Sequence, residues 1–236
     1  MSMIESIIRE IIDIKEILVP LDGFRKVSVL DALVERFDLI FRKEQKCLVD
    51  HTPVGYPAIE IEKIWASESE RRSVIALVRV NHAGEVSAQG LYLGQAMFSR
   101  DQNNFLFLLK AASEERLHLA WCNRRLKELK GNASLLTPIW FLGSFIIGAA
   151  VSLNGDPVSL GFVEETEKQV AAHLDGHLAR IPHDDNRTRS ILQRMREEEL
   201  VHGEKAESLG GATLPPFASK LMGIAALVMK ETAQKF

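Results

Sequence analysis

Apolar positions recur along this chain at helical spacing almost from end to end. Ile4, Ile7, Ile8, Ile11, Ile12 and Ile14 alternate with Glu5, Arg9, Glu10, Asp13, Lys15 and Glu16. That pattern predicts an amphipathic helix halted by Pro20 and Gly23. A second amphipathic run covers residues 27–41, and the turn residues of "DHTPVGYP" predict a loop over 47–58. Residues 67–98 form a long periodic segment, with 101–130 as its antiparallel neighbour after "SRDQNN". Residues 133–153 are apolar in character, and 156–178 and 185–209 form another helical pair joined by "RIPHDD". In the former, Asp156 followed by Pro157 reads as a cap residue and a first-turn proline. After "GGATLPP", residues 217–236 close the chain. No alternating strand pattern interrupts the series, so the predicted class is all-α.

The long helices repeat one chemical theme. In "ASEERLHLAWC", residues Leu108, Ala111, Glu115, His118 and Cys122 share a stripe, so a carboxylate and an imidazole sit one turn apart on a face that otherwise reads as core. Burying either alone costs several kcal/mol, roughly, unless something compensates. Glu85 is followed 30 residues later by Glu115 and then His118, and Glu167 is followed 32 residues later by Glu199 and then His202. One E-x-x-H is commonplace on a charged helix. Two copies, each preceded by a glutamate one helix earlier, are the ligand pattern with which a four-helix bundle holds a di-iron or di-manganese centre. Four carboxylates balance two divalent cations, and mixed oxygen and imidazole donors suit iron or manganese better than zinc or copper.

Within 156–178 the seam of Leu160, Val163, Val170 and Leu174 is interrupted by Glu167, which ranks first as ligand. Glu165, flanked by Val158, Phe162 and Ala172, is the fallback. The neighbouring acids Glu114, Glu197 and Glu198 are expected to face solvent or pair with arginines, and His51, His177 and His183, which carry no motif, to be solvated. His82 and His173 stand where each can hydrogen-bond a ligating carboxylate, and Tyr92 lies two turns beyond Glu85 on the same face, where it can line a pocket.

Composition narrows the function. A net charge of −3 argues against a nucleic-acid partner. Two cysteines without framework spacing suit a reducing compartment. The acidic, interrupted N-terminal stretch is expected to be neither a signal peptide nor a transit peptide. Residues 131–155 hold no charged side chain, which by length alone suggests a membrane span. A single crossing there would leave Glu85, Glu115 and His118 on one side of the bilayer and Glu167, Glu199 and His202 on the other. The segment is therefore expected to be buried between helices or to lie in the interface. The last helix adds Phe217, Leu221, Ile224 and Val228 on one face, beside Lys220 and Lys230, an amphipathic surface suited to lipid.

Four stretches, "LVRVNHAGEVSAQGLYLGQ", "EERLHL", "GFVEETEKQVAAHLDGHL" and "REEELVHG", together resemble the demethoxyubiquinone hydroxylases of ubiquinone biosynthesis. The resemblance runs from about residue 27 to the C-terminus. It implies a ferritin-like four-helix bundle with extra amphipathic and apolar helices over 27–236, preceded by an amphipathic extension over 1–26. It also implies metal ligands Glu85, Glu115, His118, Glu167, Glu199 and His202, with His173 as an outer partner. It selects Glu167, the glutamate six residues before a histidine, over Glu165. The implied enzyme is a di-iron, flavin-independent monooxygenase that hydroxylates the ring of a polyprenyl quinone, using dioxygen and electrons from NADH or another donor. No residue beyond the ligands is expected to be catalytic, and no G-x-G-x-x-G opens a dinucleotide-binding unit. The implied setting is peripheral, on the cytoplasmic side of the cell membrane, as a homo-oligomer or part of a biosynthetic complex. The competing readings are a ferritin-like protein handling iron or peroxide, and a non-enzymatic helical scaffold for quinone or lipid.

Overall fold

The structure, a computed structural model, describes residues 55–61 and 67–235. The helices expected over 4–14 and 27–41, the extension 1–26 and His51 lie outside these residues. The described part is all-helical: α1 Glu68–Phe98, α2 Gln102–Glu128, α3 Thr137–Ser152, α4 Asp156–Leu178, α5 Asn186–Ser208 and α6 Pro216–Lys235. Two antiparallel hairpins, α1–α2 and α4–α5, make a ferritin-like bundle. The apolar helix α3 links them and packs along α1, while α6 lies over α1 and α4.

Local chemistry sets the boundaries. Ser67 opens α1 with a capping box, its side chain accepting from the Glu70 N–H while the Glu70 carboxylate accepts from the Ser67 N–H. Asp101 caps α2 through the Asn103 and Asn104 N–H groups, and Asp185 caps α5 through Thr188 N–H. Two expectations are corrected. α3 begins at Thr137 rather than at 133, since Pro138 has no N–H and is tolerated only in the first turn. Asp156 does not cap its own helix. Gly155, at φ +103°, takes that position. The Asp156 carboxylate instead accepts from Ser99 Oγ at 3.0 Å and Asp101 N–H at 2.8 Å, which pins the α1–α2 turn to the start of α4.

The α1–α3 contact is close because glycine faces backbone on both sides. A Cβ on Gly94 would collide with the Phe145 carbonyl oxygen, and one on Gly148 with that of Leu91. Buried side chains of α1 (Val74, Leu77, Val78), α2 (Trp121, Leu126), α4 (Leu174) and α5 (Ile191, Leu192, Met195) fill one end of the bundle. A charged clamp at that end joins α2 to the start of α5, with Arg125 on Asp185 at 2.8 Å and Arg187 on Glu128 at 2.6 Å.

The uncharged stretch is packed on one side and open on the other. One face of α3 packs on α1, and the other leaves Ile139, Leu142, Ile146 and Ile147 exposed. Phe217, Leu221, Ile224, Leu227 and Val228 of α6 are exposed as well. Among the described residues no helix is long and apolar enough to cross a membrane.

Candidate metal centre

Each bundle helix carries its acidic or imidazole groups on the face turned to the axis. Glu85 comes from α1, Glu115 and His118 from α2, Glu167 from α4, and Glu199 and His202 from α5. All six are buried, five of them at most 3% exposed and His202 at 6%. They fall into two sets. Glu85, Glu115, His118 and Glu199 offer ligand atoms that all lie within 4.8 Å of one another, and so do Glu115, Glu167, Glu199 and His202.

Glu115 and Glu199 belong to both sets, and their oxygens divide between them. His118 Nδ1 lies 3.3 Å from Glu115 Oε2 and 3.1 Å from Glu199 Oε1. His202 Nδ1 lies 3.3 Å from Glu115 Oε1 and 3.4 Å from Glu199 Oε2. Glu85 completes the first set at 3.6 Å from His118 Nδ1, and Glu167 the second at 3.9 Å from His202 Nδ1. Two central carboxylates thus span two flanking sites, each closed by one histidine and one further glutamate.

Both imidazoles point Nδ1 inward because their Nε2 atoms are engaged outside. His118 Nε2–H donates to Glu198 at 2.7 Å, and His202 Nε2–H donates to Glu114 at 2.9 Å. The acid before each central glutamate holds the histidine of the other helix, an outer arrangement that fixes tautomer and ring direction. Glu114 and Glu198 were expected only to face solvent or pair with arginines. Glu198 does pair with Arg194, whereas Glu114 pairs with Lys110, and each also reaches across the bundle. Glu197 is exposed as expected.

The electrostatics describe a site that holds protons when no cation is present. Burial pushes the Glu85 carboxyl up, with Glu115 and Glu199 adding to it against the pull of His118. Burial likewise pushes Glu167 up, helped by the Glu199 charge. For His118 and His202 burial opposes the charge, but the surrounding carboxylates outweigh it and hold both imidazoles well above their ordinary value. The Cys122 thiol, one turn beyond His118, is kept protonated by burial and the Glu85 charge. Glu115 Oε1, Glu167 Oε1, Glu199 Oε2 and His202 Nδ1 are buried without a hydrogen-bond partner and lie around one common space. An orphaned set of this kind is what a pair of oxygen- and nitrogen-loving cations satisfies.

Glu165 is half-buried and accepts from Gln169 Nε2 at 2.6 Å, and it belongs to neither set. His82 is buried, and burial pushes it down to about 4. Tyr92 is wholly buried and is not among the residues that line the adjoining cavity. His173 lies on that wall with Nε2 unpartnered. Burial, then Lys230 and Arg180, push it down to about 4. His177, expected in solvent, is buried with its ring centroid 3.9 Å from that of His173, because it continues the buried stripe of Glu167, Ala171 and Leu174. His183 is exposed as expected.

A cavity of about 350 Å³ adjoins the cluster on the Glu85 side, between α1, α3, α4 and α6. Its wall is mostly apolar and continues into Ile139 and Ile147 on the exposed face of α3. Such a space takes an elongated apolar molecule with a reactive end at the carboxylates.

Comparison with known proteins agrees with this geometry. The 3-demethoxyubiquinol 3-hydroxylase of Chromobacterium violaceum is 44% identical over 201 residues, 85% of this chain and 97% of its own. That of Ralstonia pickettii is 50% identical over 169 residues, 72% of this chain and 78% of its own. That of Bordetella parapertussis is 46% identical over 210 residues, 89% and 94% respectively. Residues 72–233, which hold all six clustered side chains, match the family described as ubiquinone biosynthesis protein COQ7, and the chain belongs to that family.

Proposed function

We propose that this chain is a monooxygenase of ubiquinone biosynthesis that hydroxylates the ring of a demethoxyubiquinol-type polyprenyl substrate. The observation that carries it is the junction of two ligand sets, sharing Glu115 and Glu199, with an apolar cavity that reaches Glu85. The metal ligands are Glu85, Glu115, His118, Glu167, Glu199 and His202, and the metal is iron, in a pair. When bound, two ferrous ions supply the reduction of dioxygen, so that one oxygen atom replaces a ring hydrogen as hydroxyl and the other leaves as water.

The chain's own residues do the rest. Glu198 and Glu114 hold the Nε2 protons of His118 and His202, leaving both Nδ1 lone pairs free for the centre. The four clustered carboxylates bring four negative charges, which two divalent cations neutralise as the imidazole protons depart. The bundle core beside the site keeps water from it on one side, and the cavity presents the ring at Glu85 on the other. Two electrons and two protons balance the reaction and come from an external reductant, NADH or the quinone pool.

The exposed apolar faces of α3 and α6 support peripheral attachment to the cell membrane, where a polyprenyl substrate resides. The test is to give the anaerobically iron-loaded protein a short-tailed demethoxyquinol, NADH and labelled oxygen, and to read the product by mass spectrometry. One labelled oxygen atom on the ring is expected. Bound iron without ring labelling would favour the iron- or peroxide-handling reading. No bound metal would favour the scaffold.

A further inference from the structure

Besides His173, two side chains in the cavity wall carry polar atoms without a hydrogen-bond partner. Asn81 is 3% exposed, and both its Nδ2 and its Oδ1 are buried without a partner. Trp140 Nε1 is buried and unpartnered too. Both line the cavity that reaches Glu85. Asn81 lies one turn before Glu85, on the same face of α1. Trp140, from α3, packs on the cluster of Val80 and Ala83, which brackets Asn81 in sequence. An unsatisfied carboxamide among apolar walls is costly, and leucine would fill the same space without the penalty. A ligand that supplies the missing partners removes that penalty.

Building on the quinol reading above, we propose that Asn81 and Trp140 anchor the oxygen-bearing ring, and that Asn81 selects the reduced ring over the oxidised one. A quinol hydroxyl donates to Asn81 Oδ1 while the neighbouring ring oxygen accepts from Nδ2, so both amide atoms are satisfied. A quinone carbonyl only accepts, and Oδ1 stays orphaned. Trp140 Nε1–H donates to a ring oxygen in either redox state. Asn81 therefore carries redox discrimination and Trp140 carries affinity alone. Electron economy follows, since the oxidised ring is left to be reduced before it is held at the centre.

The test measures binding of a diprenyl demethoxyquinol and of the matching quinone to the anaerobic, iron-loaded protein by calorimetry. Wild type is expected to prefer the quinol. Asn81→Leu weakens quinol binding, where both amide bonds are lost, by roughly 25-fold and quinone binding, where only the Nδ2 bond is lost, by about fivefold, so the preference falls. Trp140→Phe weakens both by about fivefold and leaves their ratio intact. Iron content stays at the wild-type level in both variants. The melting temperature of the ligand-free Asn81→Leu protein holds or rises, because the amide it removes has no partner there. An unchanged quinol-to-quinone ratio in Asn81→Leu, or a lowered melting temperature, overturns the proposal. If wild-type protein binds neither ring, it is the functional reading itself that fails.

Discussion

Glu198 supports a quantitative test of how the centre is built. Its carboxylate accepts from His118 Nε2 at 2.7 Å, and the His118 ring is fully buried, so no water stands ready to replace it. Glu198→Leu removes that acceptor and leaves a buried N–H unpaired. A hydrogen bond to a charged group contributes about 1.5–3 kcal/mol. Glu198 is 30% exposed and shares its charge with Arg194, which argues for the middle of that range. About 2 kcal/mol corresponds to roughly a thirtyfold loss of affinity at the adjacent metal position, inside the roughly 10–100-fold seen when outer partners of metal-bound histidines are removed. Glu114 is longer, at 2.9 Å, and more exposed, at 35%, and its partner His202 is less deeply buried. Glu114→Leu therefore costs less, about tenfold. Glu197→Leu costs nothing measurable, since Glu197 faces solvent beside them. Competition for ferrous iron against a chelator of known affinity, followed by metal analysis, reads all three. Equal retention by Glu198→Leu and wild type would refute the outer-partner argument, and so would equal loss in Glu197→Leu.

Further outcomes follow from the same geometry. Glu167→Ala abolishes iron retention and ring hydroxylation while Glu165→Ala preserves both, as metal analysis and product assay will show. The surrounding carboxylates hold His118 and His202 well above their ordinary value and burial pushes Glu85 and Glu167 up, so cations entering the metal-free site displace protons from it. Titrating ferrous iron into weakly buffered protein therefore releases protons, and apparent affinity rises with pH. The sign carries over to stability. The imidazolium contacts help the metal-free fold below the unfolded histidine value, and that help is lost as pH rises through the folded one, while ionising Glu85 and Glu167 is penalised above the unfolded carboxyl value. The gain in melting temperature on metal loading should grow with pH. Leu142→Glu combined with Leu221→Glu should abolish co-sedimentation with vesicles while leaving iron content unchanged, because both side chains are exposed on outer faces.

The helices and the six central residues were legible because both rest on periodicity within one element. An i, i+3 spacing puts Glu115 and His118 on one face whatever they pack against, and a break in an apolar seam marks Glu167 against Glu165. What was not legible depends on how elements cross. Glu114 and Glu198 read as ordinary surface acids, since their partners lie 88 and 80 residues away on another helix. The signal that could have found them was the doubled glutamate in "EERLH" and "EELVH", present in both copies. His177 lacked a motif and was assigned to solvent, yet it packs on His173 inside the bundle. Asp156 had the sequence of a helix cap and serves a turn contributed by the other hairpin, a use that a local reading cannot reach.

The crossing of the two E-E-x-x-H segments also explains why this ligand set needs both hairpins at once. Glu115 gives one oxygen to the His118 side and the other to the His202 side, and Glu199 does the same from the opposite helix. Glu114 and Glu198 repeat the exchange one layer out. Neither α1–α2 nor α4–α5 holds a complete set alone: the first lacks Glu199 and the Glu198 acceptor for His118, the second lacks Glu115 and the Glu114 acceptor for His202. Four buried carboxylates in one hydrophobic bundle repel one another unless protons or cations lie between them. The charge that makes the site costly to assemble is thus what makes it selective for a pair of cations. The Asp156 bridge and the Arg125–Asp185 clamp hold the hairpins together without the metal. A metal-free protein should accordingly keep its fold while losing its chemistry.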